Sequence, residues 1–193
     1  YVLISNPDVV FEDEFFSSAD YYIKKNIDFE IIGPMYRQKD SASYGHFEDL
    51  KKKEYNLNSL IESSLVKAHW IVGCTMFINL KKFTNRNLFD ENFFLYFEEF
   101  DLCRQVLSKG GKIYASKKLY IKHLGHKGSA ATDPNYSIET EMFRNWHWMW
   151  SSFYYYKKNY SFFFAVKSMY GKFFRSFFKM IFFFIFYNKK KFT

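Results

Sequence analysis

Three places in the chain carry acidic or imidazole side chains in settings suited to chemistry. They are Asp8, the acidic cluster of Glu98, Glu99 and Asp101, and His123. Carboxylates act as general bases and bind hard cations such as Mg²⁺, and an imidazole can complete a metal site. Each feature also has an ordinary structural explanation, because acids are common in turns and at helix starts. Their significance therefore depends on the elements that position them.

The residues around Asp8 predict a strand, a turn and a helix. Residues 1–5 form an apolar run typical of a short buried strand, and Asn6-Pro7-Asp8 ends that run with turn chemistry. From Glu12 to about Lys25 apolar residues recur at helical spacing, which indicates an amphipathic helix packed on a sheet. Residues 29–32 predict another short strand, stopped by Gly33-Pro34.

The elements around the acidic cluster and His123 predict further strands and a helix. Residues 37–67 are polar and weakly periodic, so we expect a surface excursion without chemistry. Residues 69–80 resemble a strand interrupted by Gly73, as where a ligand or another backbone approaches closely. A helix follows from the acidic cluster to a pair of glycines, and residues 112–115 and 119–122 are strand-like. The alternation predicts an α/β fold.

Composition and charge limit the possible functions. The chain has 193 residues with 28 Lys and Arg against 20 Asp and Glu, a net charge of +8 that suits a polyanionic partner. Its two cysteines, Cys74 and Cys103, lack metal-site spacing, which argues against structural zinc or a disulfide framework and favours a reducing cytosol. The sequence starts within an apolar run without Met or a signal pattern, so we expect a chain truncated at its N-terminus.

Five ordered blocks of sequence carry a resemblance to a known family. They are Asn-Pro-Asp at 6–8, IVGCTM at 71–76, FDENFF at 89–94, YFEEFDLC at 96–103 and IKH at 121–123. From Leu3 to about Ser129 the chain resembles the family 2 glycosyltransferases, especially their rhamnosyltransferase-like bacterial branch. The resemblance implies a GT-A nucleotide-sugar transferase fold whose first strands would precede Tyr1. It also implies inverting transfer of a sugar from a nucleotide-diphosphate donor to a hydroxyl.

The resemblance implies roles for residues on the donor side. Asn6 and Asp8 match the family's DxD-like element, so both would bind the donor and Asp8 would be a ligand of Mg²⁺ or Mn²⁺ on its diphosphate. Hard cations favour carboxylate oxygen, which agrees with that role. His123 matches a position that completes the metal site in some members, and His126 is the nearby competitor.

On the acceptor side, Glu99 matches the position of the catalytic base, where most members have Asp. Asp101 and Glu98 would flank and orient this base, giving Glu99 and Asp101 as catalytic candidates. Trp70, Gly73 and Glu98 would bind the acceptor, because the indole of Trp70 can stack on a sugar ring.

The C-terminal part of the sequence has a different composition. Residues 162–187 are rich in Phe, yet the longest uncharged apolar run, 180–187, is far shorter than the roughly 20 residues that span a bilayer. On a helical wheel Lys172, Arg175 and Lys179 share one sector, the pattern of a helix that lies in the headgroup plane. Packing on the chain's own domain is the alternative.

These observations predict an incomplete GT-A domain over residues 1–135 and a helical, membrane-associating segment over 136–193. The favoured function is a metal-dependent glycosyltransferase of cell-surface polysaccharide synthesis, on the cytoplasmic face of an anionic membrane, acting on a glycan or lipid-linked acceptor. A degenerate, non-catalytic membrane scaffold is the first alternative. A basic module that stacks single-stranded nucleic acid is the second, disfavoured because the cations concentrate in the tail.

Overall fold

The structure is a computed structural model that describes residues 1–38, 41–43, 64–84, 87–124 and 138–186. It has a mixed α/β architecture with one sheet and four α-helices within those residues. Most of the predicted surface excursion and His126 lie outside the described residues.

The chain divides into two compact units. The first comprises residues 1–93 and 98–140, and the second comprises residues 94–97 and 141–193. The predicted boundary between residues 135 and 136 stays a prediction.

The first unit is built on a mixed sheet. Its strands are β1 (Val2–Ser5), β2 (Val9–Phe11), β3 (Ile31–Gln38), β4 (Ser41–Ser43), β5 (Leu65–Lys67), β6 (Thr75–Ile78) and β7 (Ile113–His123). The strand order is β1-β6-β3-β7-β2, with β4 paired to β3 and β5 paired to β7. Strands β3 and β7 are parallel and the other described pairs are antiparallel.

Strand β3 corrects one sequence prediction. The expected stop at Gly33-Pro34 is wrong, because β3 continues to Gln38 beside β7. The register shifts between Pro34 and Met35, where Pro34 pairs with Ser116 and Met35 pairs with Tyr120. Such an irregularity accommodates a proline that has no N–H to donate.

Strand β7 corrects a second prediction. The two strand-like pieces at 112–115 and 119–122 are one strand, and the residues between them form the irregular stretch. The Ser116 hydroxyl accepts hydrogen bonds from the backbone N–H groups of Lys118 and Leu119, both at 3.0 Å. It also lies 2.8 Å from the Tyr22 hydroxyl. These bonds stabilise the irregular stretch without ending the strand.

Two helices cover the sheet on opposite faces. The described α-helices are α1 (Phe15–Lys24), α2 (Glu98–Ser108), α3 (Ile138–Asn159) and α4 (Phe162–Phe186). Helix α1 begins three residues later than predicted and packs on Ile32, whereas α2 packs on Ile31. Neighbouring residues of a strand point to opposite faces, so the unit has two hydrophobic layers, one on each side of the sheet.

The second unit contains α3 and α4. Ser151, Ser152 and Tyr155 of α3 are buried, as are Ala165 and Met169 of α4. The Ser152 Oγ lies 3.4 Å from Met169 Sδ. Ser152 and Met169 therefore lie where the two helices contact each other. Among the described residues, no helix combines the length and apolar character required to cross a membrane.

Candidate active site

The register of β2 and β7 brings Asp8 and His123 together. Val9 lies opposite His123, the last residue of β7, and the backbone N–H of Leu124 donates to the carbonyl oxygen of Asp8 at 2.9 Å. The Asp8 Oδ2 and the His123 Nε2 are then 3.3 Å apart, with side chains 17% and 29% exposed. Two residues 115 positions apart thus form one polar pair that solvent reaches.

The Asp8 carboxylate and the His123 imidazole are both groups that can bind a divalent cation. No group of three or more His, Cys, Asp or Glu side chains suited to a metal occurs in the part of the chain that the structure describes. Mg²⁺ is commonly held by one or two carboxylates together with substrate phosphates and water. One carboxylate and one imidazole, both partly exposed, leave room for those further oxygen ligands.

The Asp8 turn lies beside the turn that precedes β6. The backbone N–H of Asn6 donates to the carbonyl oxygen of Cys74 at 2.9 Å, because β1 and β6 are antiparallel neighbours. Burial, followed by the negative charge of Asp8, raises the pKa of the Cys74 thiol to about 11, and the charge of Glu99 adds to the effect. The Asp8 turn and Glu99 therefore occupy one region of the first unit.

Gly73 contacts Glu99 and corrects the expected strand. The prediction that Gly73 interrupts a strand over residues 69–80 is wrong, since Gly73 lies in the turn before β6. A Cβ added to Gly73 would lie 3.5 Å from the Cβ and the carboxyl carbon of Glu99. The close approach predicted at this glycine is therefore made by a side chain of the acidic cluster.

Glu99 has the environment of a general base. Its Oε2 is shielded from water and has no hydrogen-bond partner. Burial raises the pKa of Glu99 from its ordinary 4.5 to about 7, the charge of Glu98 adds to the effect, and backbone hydrogen bonds oppose it. A carboxylate with a pKa near neutrality is basic enough to accept a proton and is deprotonated in a large fraction of molecules.

The flanking acids have different surroundings. The Glu98 Oε2 is also shielded and unpartnered, and burial raises the pKa of Glu98. Asp101 is 1% exposed, and one of its oxygens accepts a hydrogen bond from Gln105 Nε2 at 2.6 Å. This arrangement favours Glu99 over Asp101 as the carboxylate that meets a substrate.

Trp70 is half-buried at the edge of one hydrophobic layer. Its indole stacks on the ring of Phe100, with centroids 4.5 Å apart and planes inclined by 25°. Phe100 covers one indole face, so a sugar would have to stack on the other. The acceptor-binding role of Trp70 stays a prediction.

A strained segment that the sequence did not indicate leads into the acidic cluster. Tyr96 and Phe97 have φ angles of 68° and 70°, which bulky residues seldom adopt. Within the second unit, Arg144 Nε donates to the Tyr96 hydroxyl at 3.0 Å and Ser151 Oγ donates to the Leu95 carbonyl at 2.7 Å. The ring of Phe97 packs against Tyr155 and Trp148. Such strain is often found at functional sites.

Comparison with known proteins gives one distant likeness, to a glycosyltransferase. The protein concerned is the rhamnosyltransferase WbbL of Escherichia coli (strain K12), which is 22% identical over 163 residues. The match covers 76% of this chain and 58% of the length of WbbL. No protein-family model and no solved structure matches the chain.

Proposed function

We propose that this chain is part of an inverting, metal-dependent glycosyltransferase with a GT-A fold. It would transfer a sugar from a nucleotide-diphosphate donor to a hydroxyl of a glycan or lipid-linked acceptor, in cell-surface polysaccharide synthesis. The observation that carries the proposal is Glu99, a buried carboxylate with a pKa of about 7 whose Oε2 is unpaired, near the turn that bears Asp8. The mixed sheet between two helices and the likeness to WbbL support the class.

Glu99 supplies the base of the reaction. The acceptor hydroxyl donates a hydrogen bond to the Glu99 carboxylate and passes its proton to that carboxylate as the hydroxyl oxygen attacks the anomeric carbon. The bond from that carbon to the diphosphate oxygen breaks with the electron pair staying on the diphosphate. Attack from the opposite side inverts the configuration. A positioned base typically contributes a factor of about 10²–10⁴ to the rate.

Asp8 and His123 hold the donor side. With Asn6 in the same turn, they would face the diphosphate of the donor, and their two side chains would supply protein ligands to Mg²⁺ or Mn²⁺. Such an ion, when bound, neutralises the charge of the departing diphosphate. The short contact between Asp8 and His123 keeps the carboxylate and the imidazole in one orientation before the donor arrives.

Glu98, Gly73 and Trp70 form the acceptor side. A side chain at Gly73 would pack directly against Glu99, since an added Cβ would lie 3.5 Å from the Glu99 carboxyl carbon. Glu98 raises the pKa of Glu99 by its negative charge. Its own carboxylate would accept a hydrogen bond from a second sugar hydroxyl.

The test is a transfer assay on the full-length protein with a panel of nucleotide-diphosphate sugars, Mn²⁺ and membrane extracts as acceptor source. Wild-type protein should release nucleoside diphosphate in an acceptor-dependent reaction, and Glu99→Gln should reduce it by about 10²-fold or more. Asp20→Asn is the matched control, because Asp20 pairs with Lys24 on the exposed face of α1. Equal loss in both variants, or full activity of Glu99→Gln with loss in Asp101→Asn, would refute the role of Glu99. Absence of acceptor-dependent turnover in the wild type would favour the scaffold alternative.

A further inference from the structure

Helix α4 exposes a regular apolar stripe. Phe163, Val166, Tyr170, Phe173 and Phe177 recur at spacings of three and four residues, so they lie along one face of the helix. Phe163 is 83% exposed and Phe173 is 59% exposed. We call these five residues the α4 stripe. A contiguous apolar surface of this kind marks an interaction site.

The stripe is not the face that α4 uses for packing in its own unit. Ala165 and Met169 are buried there, and they lie on the neighbouring side of the helix, roughly 100° around its axis from the centre of the stripe. The Lys172 ammonium lies 3.9 Å from the centre of the Trp148 ring of α3, and burial lowers the pKa of Lys172. Lys172 thus contacts a residue of its own unit. The sequence pattern instead predicts that Lys172 faces lipid headgroups together with Arg175 and Lys179.

The positive charge of the C-terminal part of the chain favours an anionic partner. From residue 142 to the end, the sequence contains ten Lys and Arg residues and no Asp or Glu. Lys167 is exposed and lies at one edge of the α4 stripe, whereas the exposed Arg175 lies on the opposite side of the helix. Aromatic residues beside cations suit a surface of anionic lipid headgroups over acyl chains. A second copy of this chain is disfavoured, because pairing would bring two purely cationic segments together.

We propose that the α4 stripe inserts into the interface of an anionic lipid bilayer, with α4 parallel to the membrane plane. The five apolar side chains lie at the boundary of headgroups and acyl chains, and Lys167, at the edge of the α4 stripe, lies at the level of the phosphates. This inference rests on the second unit alone and is independent of the proposed transfer reaction.

The experiment measures binding of the full chain to vesicles by co-sedimentation. Vesicles of phosphatidylcholine alone are compared with vesicles that contain phosphatidylglycerol. We expect binding to the anionic vesicles that weakens with added salt without vanishing, because the apolar contribution is not screened. Replacing Phe163, Tyr170 and Phe173 with Ser should abolish it. Phe16→Ser is the matched control, since Phe16 is a 60% exposed aromatic residue of α1.

A second variant keeps the proposal testable where the triple substitution impairs folding. Lys167→Gln leaves every apolar contact of the α4 stripe in place, and the lost cation should weaken binding to anionic vesicles about fivefold. Equal binding by this variant and wild type, or no binding of the wild type to either vesicle, would overturn the proposal. So would a dimer in the absence of lipid that the α4 stripe substitutions dissociate.

Discussion

The Glu99 carboxyl lies at the start of α2 with one oxygen shielded from water and unpaired. The burial that raises the pKa of Glu99 does so because it makes the charged form of the carboxyl costly. Asp8 and His123 show the opposite arrangement, a partly exposed pair in direct contact. In the proposed function, Glu99 takes the proton of the acceptor, and Asp8 and His123 hold the metal ion on the diphosphate.

The raised pKa of Glu99 predicts a pH-dependent stability. A carboxyl whose pKa is about 7 in the folded state and near 4.5 when unfolded binds its proton more tightly in the folded protein. The free energy of unfolding therefore falls as the pH rises from about 4.5 to about 7. Glu99→Gln removes this effect and should raise the free energy of unfolding at pH 8 by about 2–3 kcal/mol.

Denaturant titrations at pH 5 and pH 8 measure this prediction. The stabilisation by Glu99→Gln should shrink as the pH falls to 5, whereas Asp20→Asn should show little change at either pH. A Glu99→Gln variant that is no more stable than wild type at pH 8 would mean that the carboxyl is solvated in the folded protein.

The donor side predicts metal-linked binding. Asp8→Ala and His123→Ala should each weaken Mn²⁺-dependent binding of the nucleoside diphosphate by the full-length protein, because each removes one predicted ligand. Titration calorimetry with Mn²⁺, and again with a chelator, gives the metal-dependent part of the affinity. If Asp8→Ala leaves the metal-dependent part of the affinity unchanged, Asp8 is not a metal ligand. If His126→Ala weakens this binding more than His123→Ala does, His126 is the metal ligand in place of His123.

At the scale of elements, the packing of β3 depends on the close approach of the Ile71 side chain to Gly33. A Cβ at this position would lie 2.4 Å from the Ile71 Cγ2, too close without a shift of the backbone or of Ile71. Gly33→Ala should therefore lower the free energy of unfolding by about 1–3 kcal/mol, the usual cost of overpacking. Gly171→Ala in α4 is the matched control, since its added Cβ meets nothing within 4 Å.

Thermal or denaturant unfolding of the two alanine variants measures this difference. Gly171→Ala should be neutral or stabilising by up to about 1 kcal/mol, because alanine favours helix over glycine. Equal stability of Gly33→Ala and wild type would show that Ile71 moves aside at no cost.

The same elements show what the sequence could predict. Strand β1 and the start of α2 followed from an apolar run and an acidic cluster, which are local signals. The passage of β3 through Pro34 depends on its pairing with β7, and nothing near Pro34 in the sequence encodes that irregularity. The left-handed backbone at Tyr96 and Phe97 was missed for the same reason, since packing and hydrogen bonds of α3 accompany it.

Prediction of the site requires both local sequence signals and the long-range pairing and packing of the fold. Asp8, Glu99 and His123 were candidates from residue type and from the family resemblance. Their placement came only from strand register, which sets Val9 opposite His123 and brings Asn6 to Cys74. The burial that distinguishes Glu99 from Asp101 depends on the packed environment, so no spacing rule distinguishes the two.

At the scale of the whole molecule, the two units differ in content. The first contains the candidate site, and the second is cationic and aromatic with an exposed stripe. Residues 94–97 belong to the second unit and precede Glu98 directly in the chain. The proposed functions of the two units, sugar transfer and membrane attachment, can therefore be tested by separate variants.

The central claim is that Glu99 acts as the general base, and the pH dependence of single-turnover transfer tests it most directly. With donor and acceptor well below saturation, where the rate reports the free protein, transfer by the full-length wild type should rise with pH to a plateau, with a midpoint near 7. The residual rate of Glu99→Gln should lack that rise, and Asp20→Asn should retain it. A wild-type midpoint between 4 and 5, or the same midpoint near 7 in Glu99→Gln, would contradict the claim.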